Sequence, residues 1–258
     1  MVDWNATPTV SIKINPVDPS HMFARDKTYL LLGLTGRIGK SIYEHMVANG
    51  AKYIVLTSRR PRVDSAWLES CQASGATVKV FSNDVTDEAD VRQLYHVISE
   101  TLPPIADVVN GEMALHSARF SEMTVKSMQS VLDPMVAGSC HLDAIFSADH
   151  PLDFFIMVSF LAPAAESTDQ TGYDAANSFL VGLASERRKR GLAASTLVIN
   201  VMGPTLSERD AHTIFTEAVL GSRADPEQSS ELITGFKFVK FTDEIKPPHW
   251  LNNPKFQY

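Results

Sequence analysis

Leu32-Gly33-Leu34-Thr35-Gly36-Arg37-Ile38-Gly39 ends a short apolar run, Tyr29-Leu-Leu-Leu-Gly33, and opens a stretch with helical apolar spacing at Ile38, Ile42 and Met46. Glycines between a strand and a helix permit a tight turn and let backbone N–H groups approach a pyrophosphate. They also let the helix pack closely on the sheet. The spacing of Gly33, Gly36 and Gly39 is G-x-x-G-x-x-G, and its position between first strand and first helix is what gives it meaning. About 20 residues further on, an NAD site places an acid for the ribose hydroxyls. This chain has Thr57-Ser58-Arg59-Arg60 there. Arginine suits a 2′-phosphate and so favours NADP(H) over NAD(H) as the cofactor, the alternative being glycines that serve packing alone. Asp84 and Val85 after the third strand, and Asn110 after the fourth, complete the expected cofactor set.

Working outward, strands are expected at 53–56, 77–81, 106–109, 153–158 and 196–200. Helical spacing falls between them at 67–71, 91–98, 124–146 with a break at Pro134, and 170–190. Strand–helix alternation requires a parallel sheet covered on both faces, with right-handed crossovers. Nearly continuous apolar strands fit, since both faces are buried. The expected fold class is α/β, a doubly wound parallel sheet of Rossmann-like type. Residues 1–26 read as a leader strap and 27–258 as one domain, with residues 208–258 packed onto it.

The 258 residues are 44% hydrophobic and 21% charged, the make-up of an ordinary globular protein. Lys and Arg total 23 against 30 Asp and Glu, a net charge of −7 that argues against nucleic acid or an anionic membrane as partner. The basic run Arg187-Arg188-Lys189-Arg190 reads as a solvated helix C-terminus, where cations suit the dipole. Cys71 and Cys140 give neither a disulfide framework nor a metal spacing, and are expected as reduced core thiols. The N-terminus lacks a signal-peptide pattern, and the apolar stretch 154–165, about 12 residues long, is too short to span a bilayer. A cytoplasmic protein is expected.

With these motifs the sequence resembles a short-chain dehydrogenase/reductase. More closely, it resembles the ketoreductase domain of fungal highly reducing polyketide synthases and their hybrids with peptide synthetases. The resemblance runs collinearly from Thr7-Pro-Thr-Val10 through Leu32-Gly-Leu-Thr-Gly36, Val55-Leu-Thr-Ser-Arg-Arg60 and Pro103-Pro-Ile105. It continues through Pro151-Leu-Asp-Phe-Phe155, Tyr173-Asp-Ala-Ala-Asn177 and Glu186-Arg-Arg-Lys-Arg-Gly-Leu192 to Asn253-Pro-Lys-Phe256. It implies a tyrosine that protonates the carbonyl oxygen as NADPH delivers hydride, a serine that holds the carbonyl, a lysine that acidifies the tyrosine, and an asparagine that supports the relay. The tyrosine and asparagine carry over as Tyr173 and Asn177.

The other members do not. The lysine of the family's Pro-Lys-Val is Met135 in Pro134-Met135-Val136, and the serine 13 residues before the tyrosine is Phe160. Ser159 is adjacent, and strand alternation turns it to the opposite face unless an insertion shifts the register. Glu112 replaces an alanine expected beside the nicotinamide ribose, where a carboxylate would crowd and repel the cofactor diphosphate. The substrate lid expected after Val201-Met202-Gly-Pro204 is shortened to residues 204–211. Without a cation near it, a tyrosine of pKa about 10 donates poorly at neutral pH, a loss worth roughly 10²–10⁴-fold.

Three functions follow as expectations. The first is a ketoreductase fold turned to non-redox cyclisation of a polyketide, including pericyclic ring closure of Diels–Alder type, in a pocket of Met113, Met135, Phe160 and Met202 beside Tyr173. It requires no cofactor, with NADP(H) binding an option kept by the retained glycine turn. The second is a non-catalytic pseudo-ketoreductase docked among polyketide synthase domains. The third is an NADPH-dependent ketoreductase in which Ser159 and His116 compensate. The candidate catalytic set is therefore Tyr173, Asn177, Ser159, Glu112 and His116, and the partners expected are a polyketide-derived small molecule and synthase domains.

Overall fold

Every residue of the first strand, β1 (Thr28–Leu32), is buried, as a strand covered on both faces must be. It is the third strand across a seven-stranded, all-parallel sheet in the computed structural model, which describes residues 19–20, 22–160, 169–199, 207–222 and 229–233. In chain order the remaining elements are α1 (Arg37–Ala48), β2 (Tyr53–Ser58), α2 (Ser65–Ala73), β3 (Thr77–Ser82), α3 (Glu88–Thr101) and β4 (Ile105–Asn110). They continue with α4 (Val125–Leu132), α5 (Gly138–Ile145), β5 (Phe155–Phe160), α6 (Thr171–Lys189), β6 (Ser195–Ile199), α7 (Glu208–Gly221) and β7 (Glu231–Ile233). The strand order is β3-β2-β1-β4-β5-β6-β7. This is the doubly wound topology expected, with the crossovers reversing direction between β1 and β4.

Side-chain alternation splits the core in two. Leu30, Leu32, Val55, Phe155 and Met157 join one cluster with residues of α3 to α6. Tyr29, Leu31, Ile54, Leu56 and Ile156 join the other with residues of α1, α2 and α7. Of the leader, the described part docks through Phe23, whose ring meets Tyr29 and Phe154 edge-on at 5.4 and 6.2 Å. The rest of the strap, residues 204–206 of the shortened lid and the tail beyond 233 lie outside the described residues.

The break expected at Pro134 is present: 124–146 forms two helices joined by a π-helical turn, Asp133–Ala137, because Pro134 cannot donate to the ladder. Other expectations need correction. A seventh strand, β7, went unread: three residues are too few to show a period. Cys140 is exposed, and only Cys71 is buried. Arg187 and Arg188, read as solvated, are buried. Among the described residues no helix is long and apolar enough to cross a membrane.

Between α1 and α7, His45 and His212 stack at 4.5 Å, with their Nε2 atoms on the hydroxyls of Thr216 (2.9 Å) and Ser41 (2.8 Å). Burial, and then His212, hold the pKa of His45 below its ordinary value. The folded state thus takes up this proton less readily than the unfolded chain. The contact stabilises fully above about pH 6.5 and its contribution is lost as pH falls below that. Between about pH 7 and pH 5, the thermal midpoint of His45→Gln is expected to fall less than that of the parent. Equal falls would refute this linkage.

Candidate functional site

Parallel α/β sheets bind ligands in the crevice where the strand order reverses. Here that point, beyond the C-terminal ends of β1 and β4, holds a cleft of about 740 Å³. Gly33 forms its floor, Ser58, Arg59, Arg60 and Asp84 line the β2–β3 side, and Gly111, Glu112 and Met113 the β4 side.

The three glycines do different work. Gly33 has φ +69°, and a Cβ on it would stand 2.7 Å from the Glu112 backbone. A Cβ on Gly39 would collide with the Leu34 carbonyl oxygen, so this glycine serves helix packing. At Gly36 a Cβ would meet no protein atom within 4 Å. The fold does not need that glycine, and the approach of a ligand to the turn is a reason for it. Gly36 also caps α1 without a side-chain bond, leaving first-turn amides with no side-chain acceptor, whereas Asp64 and Asp87 cap α2 and α3.

On the β2–β3 side, Thr35 donates to Ser58 Oγ at 3.3 Å. Asp84 Oδ1 accepts from the Thr86 hydroxyl (2.7 Å) and amide (3.0 Å), and the hydroxyl bond in particular holds its carboxyl below the usual range. Asp90 accepts the Asp84 amide at 2.6 Å. Two expected cofactor residues have structural work of their own. Val85 is buried against Gly138, where a Cβ would come within 2.7 Å of it. Asn110 is buried and spent internally, donating to Ser139 Oγ at 2.9 Å and accepting the Glu112 amide at 3.1 Å.

Glu112 Oε1 is buried with no hydrogen-bond partner. Burial raises its pKa, with Arg59 drawing it down and Asp84 pushing it up. The next residue, Met113, reaches the other half of the site: its Sδ accepts the Tyr173 hydroxyl at 3.2 Å. Tyr173 and Asn177 lie one turn apart on α6, both buried, and Ser159 donates to Asn177 Oδ1 at 2.8 Å. Ser159 therefore faces α6, contrary to the expected alternation. The offset from the tyrosine was counted across residues 161–168, where one residue more or less reassigns the site position. Parity within β5 is unaffected by that count, and it puts Ser159 on the same face as Phe155 and Met157.

The π turn carries Met135 into the core, 1% exposed, in the cluster that holds Tyr173. There it serves packing and does not line an open pocket. Burial raises the pKa of Tyr173, the Asn177 bond lowers it, and Asp174 raises it further. Asp174 itself is pushed up to about 6 by burial, with Oδ1 unpartnered. No local sequence pattern marks it, since its burial depends on elements remote in the chain. His116 is exposed and joins neither half. Met202 and the side chain of Phe160 lie outside the described residues.

The residues present therefore fit a dinucleotide unevenly. Gly33, Gly36, Ser58, Arg59 and Arg60 suit its phosphoadenosine end. Glu112, Met113 and Met135 do not suit a nicotinamide end meeting Tyr173.

The model of the KR domain family matches residues 27–203. The polyketide synthase-nonribosomal peptide synthetase ACE1 of Pyricularia oryzae is 41% identical over 280 residues, covering all of this chain and 7% of that protein. The highly reducing polyketide synthase ACTTS3 of Alternaria alternata is 39% identical over 281 residues, 99% of this chain and 11% of that one. The chain thus spans only a small part of these relatives. Among solved structures, a ketoreductase domain from the bacillaene assembly line superposes with a TM-score of 0.70 at 25% identity, over 81% of this chain and 57% of that one. The A-type ketoreductases from a modular polyketide synthase give 0.63 at 27%, over 72% and 40%.

Proposed function

The chain belongs to the KR domain family of polyketide synthase ketoreductases, and from that membership we propose that it serves fungal polyketide assembly without reducing a ketone. One observation carries this reading: the Tyr173 hydroxyl is held by the Met113 thioether. The resemblance adds that the acidifying lysine would fall at Met135, which is apolar and buried. A buried tyrosine with no cation beside it among the described residues is a weak proton donor but still a hydrogen-bond donor.

Two non-reducing roles are open to such a site. Ring closure of a polyketide chain is supported by the apolar side chains exposed on the segment that follows Met113. Leu115, Phe120 and Met113 itself are each more than half exposed, and a thioether is flexible enough to swing off the tyrosine. A surface of that kind can fold an apolar polyene while Tyr173 polarises one carbonyl, and cyclisation needs shape and orientation in place of hydride. A docking role is the second reading, favoured by relatives in which this segment is one part of a much longer chain.

Incubation with the linear polyene product of a matching synthase separates the two. Cyclisation predicts a product ratio that changes with the protein and reverts with Tyr173→Phe. An unchanged ratio sinks cyclisation, and the docking role then predicts retention on isolated synthase domains.

A further inference from the structure

The cleft and the tyrosine are separated by two consecutive side chains. Gly111 and Glu112 close the β4 side of the cleft, and Met113 turns from the same wall onto Tyr173. What remains open is the β2–β3 side with its cations. Neither Arg59 nor Arg60 is tied up in an ion pair among the described residues, and both are exposed at the rim. Two of the three cleft carboxylates are internally bonded, Asp84 to Thr86 and Asp90 to the Asp84 amide. The third, Glu112, is not: one of its oxygens is buried and unpartnered, and its backbone lies against the Gly33 turn.

We propose that Glu112 excludes the nicotinamide half of a dinucleotide from this cleft, so that only the phosphoadenosine end expected of the family, at Ser58, Arg59, Arg60 and Asp84, remains open to a ligand. Guanidinium groups offer planar donors to a phosphate and a face for the adenine ring. The free acceptor of the Asp84 carboxylate suits the adenine amine. A diphosphate crossing Gly33 on its way to Tyr173 would meet the Glu112 carboxylate, a like charge in a dry place. The inference rests on the non-reducing reading for its biological sense but makes a separate claim, since a nucleotide can bind with no turnover at all. The shared chemistry has two sources: a 2′-phosphate, as in NADP, and a 3′-phosphate, as in coenzyme A.

Isothermal titration of the full chain tests it with 2′,5′-ADP, 3′,5′-ADP, AMP and NADPH. A charge-assisted phosphate contact is worth roughly 1.5–3 kcal/mol, or about 10–100-fold. At least one bisphosphate is therefore expected to bind about tenfold or more tighter than both AMP and NADPH. Preference for the 2′ or the 3′ isomer identifies the source, and either supports the proposal. Glu112→Ala is expected to tighten NADPH about tenfold while leaving the bisphosphates within about twofold. Glu112→Gln is expected to fall between, separating charge from bulk. Arg59→Ala with Arg60→Ala should erase the advantage over AMP. Bisphosphates no better than AMP, NADPH as tight as the bisphosphates in the parent protein, or a Glu112→Ala gain shared equally by all ligands would each overturn it. NADPH-driven ketone turnover would instead overturn the non-reducing reading, so the two fail separately.

Discussion

With NADPH and a β-keto thioester, the protein is expected to oxidise the nicotinamide no faster than its Tyr173→Phe variant. The reason is electrostatic. A tyrosine acts as a general acid near neutral pH only if something brings its pKa down from about 10, and a nearby cation is the usual means. Here burial moves Tyr173 the other way, and the neighbouring charge, Asp174, adds to the rise. Met135 is apolar and sits in the core beneath. Loss of general-acid assistance alone is worth roughly 10²–10⁴ in rate. The Met113 bond adds a steric term, because a carbonyl must displace the thioether to reach the hydroxyl. Met113→Ala would free the hydroxyl but supply no cation, so it too is expected to stay at the Tyr173→Phe level. Stopped-flow absorbance of NADPH checks both, and a parent rate clearly above Tyr173→Phe would refute the argument.

The sheet was legible because parallel strands buried on both faces leave unbroken apolar runs, and glycine at the first turn has a steric signature. Arg59 and Arg60 could be placed at the cleft because the second strand of this topology ends there. What the sequence left hidden depends on partners remote in the chain. Ser159 meets Asn177 across 18 positions, and Met113 meets Tyr173 across 60. No local period records either contact. Asn110 illustrates the converse: it sits where a ligand contact is expected, yet Ser139 and the Glu112 amide consume its polar groups. Arg187 shows the limit of charge patterning. A run of four cations reads as solvated until Asp143, 44 positions from Arg187, is seen to pair with two of them, Arg187 and Arg190.

That pair carries the largest stability effect. Asp143→Ala is expected to destabilise the fold by about 3 kcal/mol, the low end for breaking a buried ion pair, because Asp143 keeps 19% of its side chain in solvent. Arg187, 1% exposed, binds Asp143, donates to the Phe146 carbonyl oxygen from both terminal nitrogens (3.1 and 3.0 Å), and donates to Ala193 O at 3.2 Å. Its guanidinium carbon lies 4.1 Å from the centre of the Phe155 ring. Removing the carboxylate leaves that cation buried and uncompensated. Arg187→Met removes the charge itself and is expected to cost less, even though two carbonyls lose a donor. The double variant should then be more stable than Asp143→Ala alone, a non-additivity that urea midpoints at constant m-value can read. Additive losses would mean the guanidinium is adequately solvated without Asp143. The pair also fixes the site: Arg187 ends the helix that begins with Tyr173 and Asn177, and Asp143 lies on the helix that follows the Met135 turn. Loosening it should therefore release Tyr173 from Met113, detectable as a tyrosine that ionises at lower pH in Asp143→Ala than in the parent.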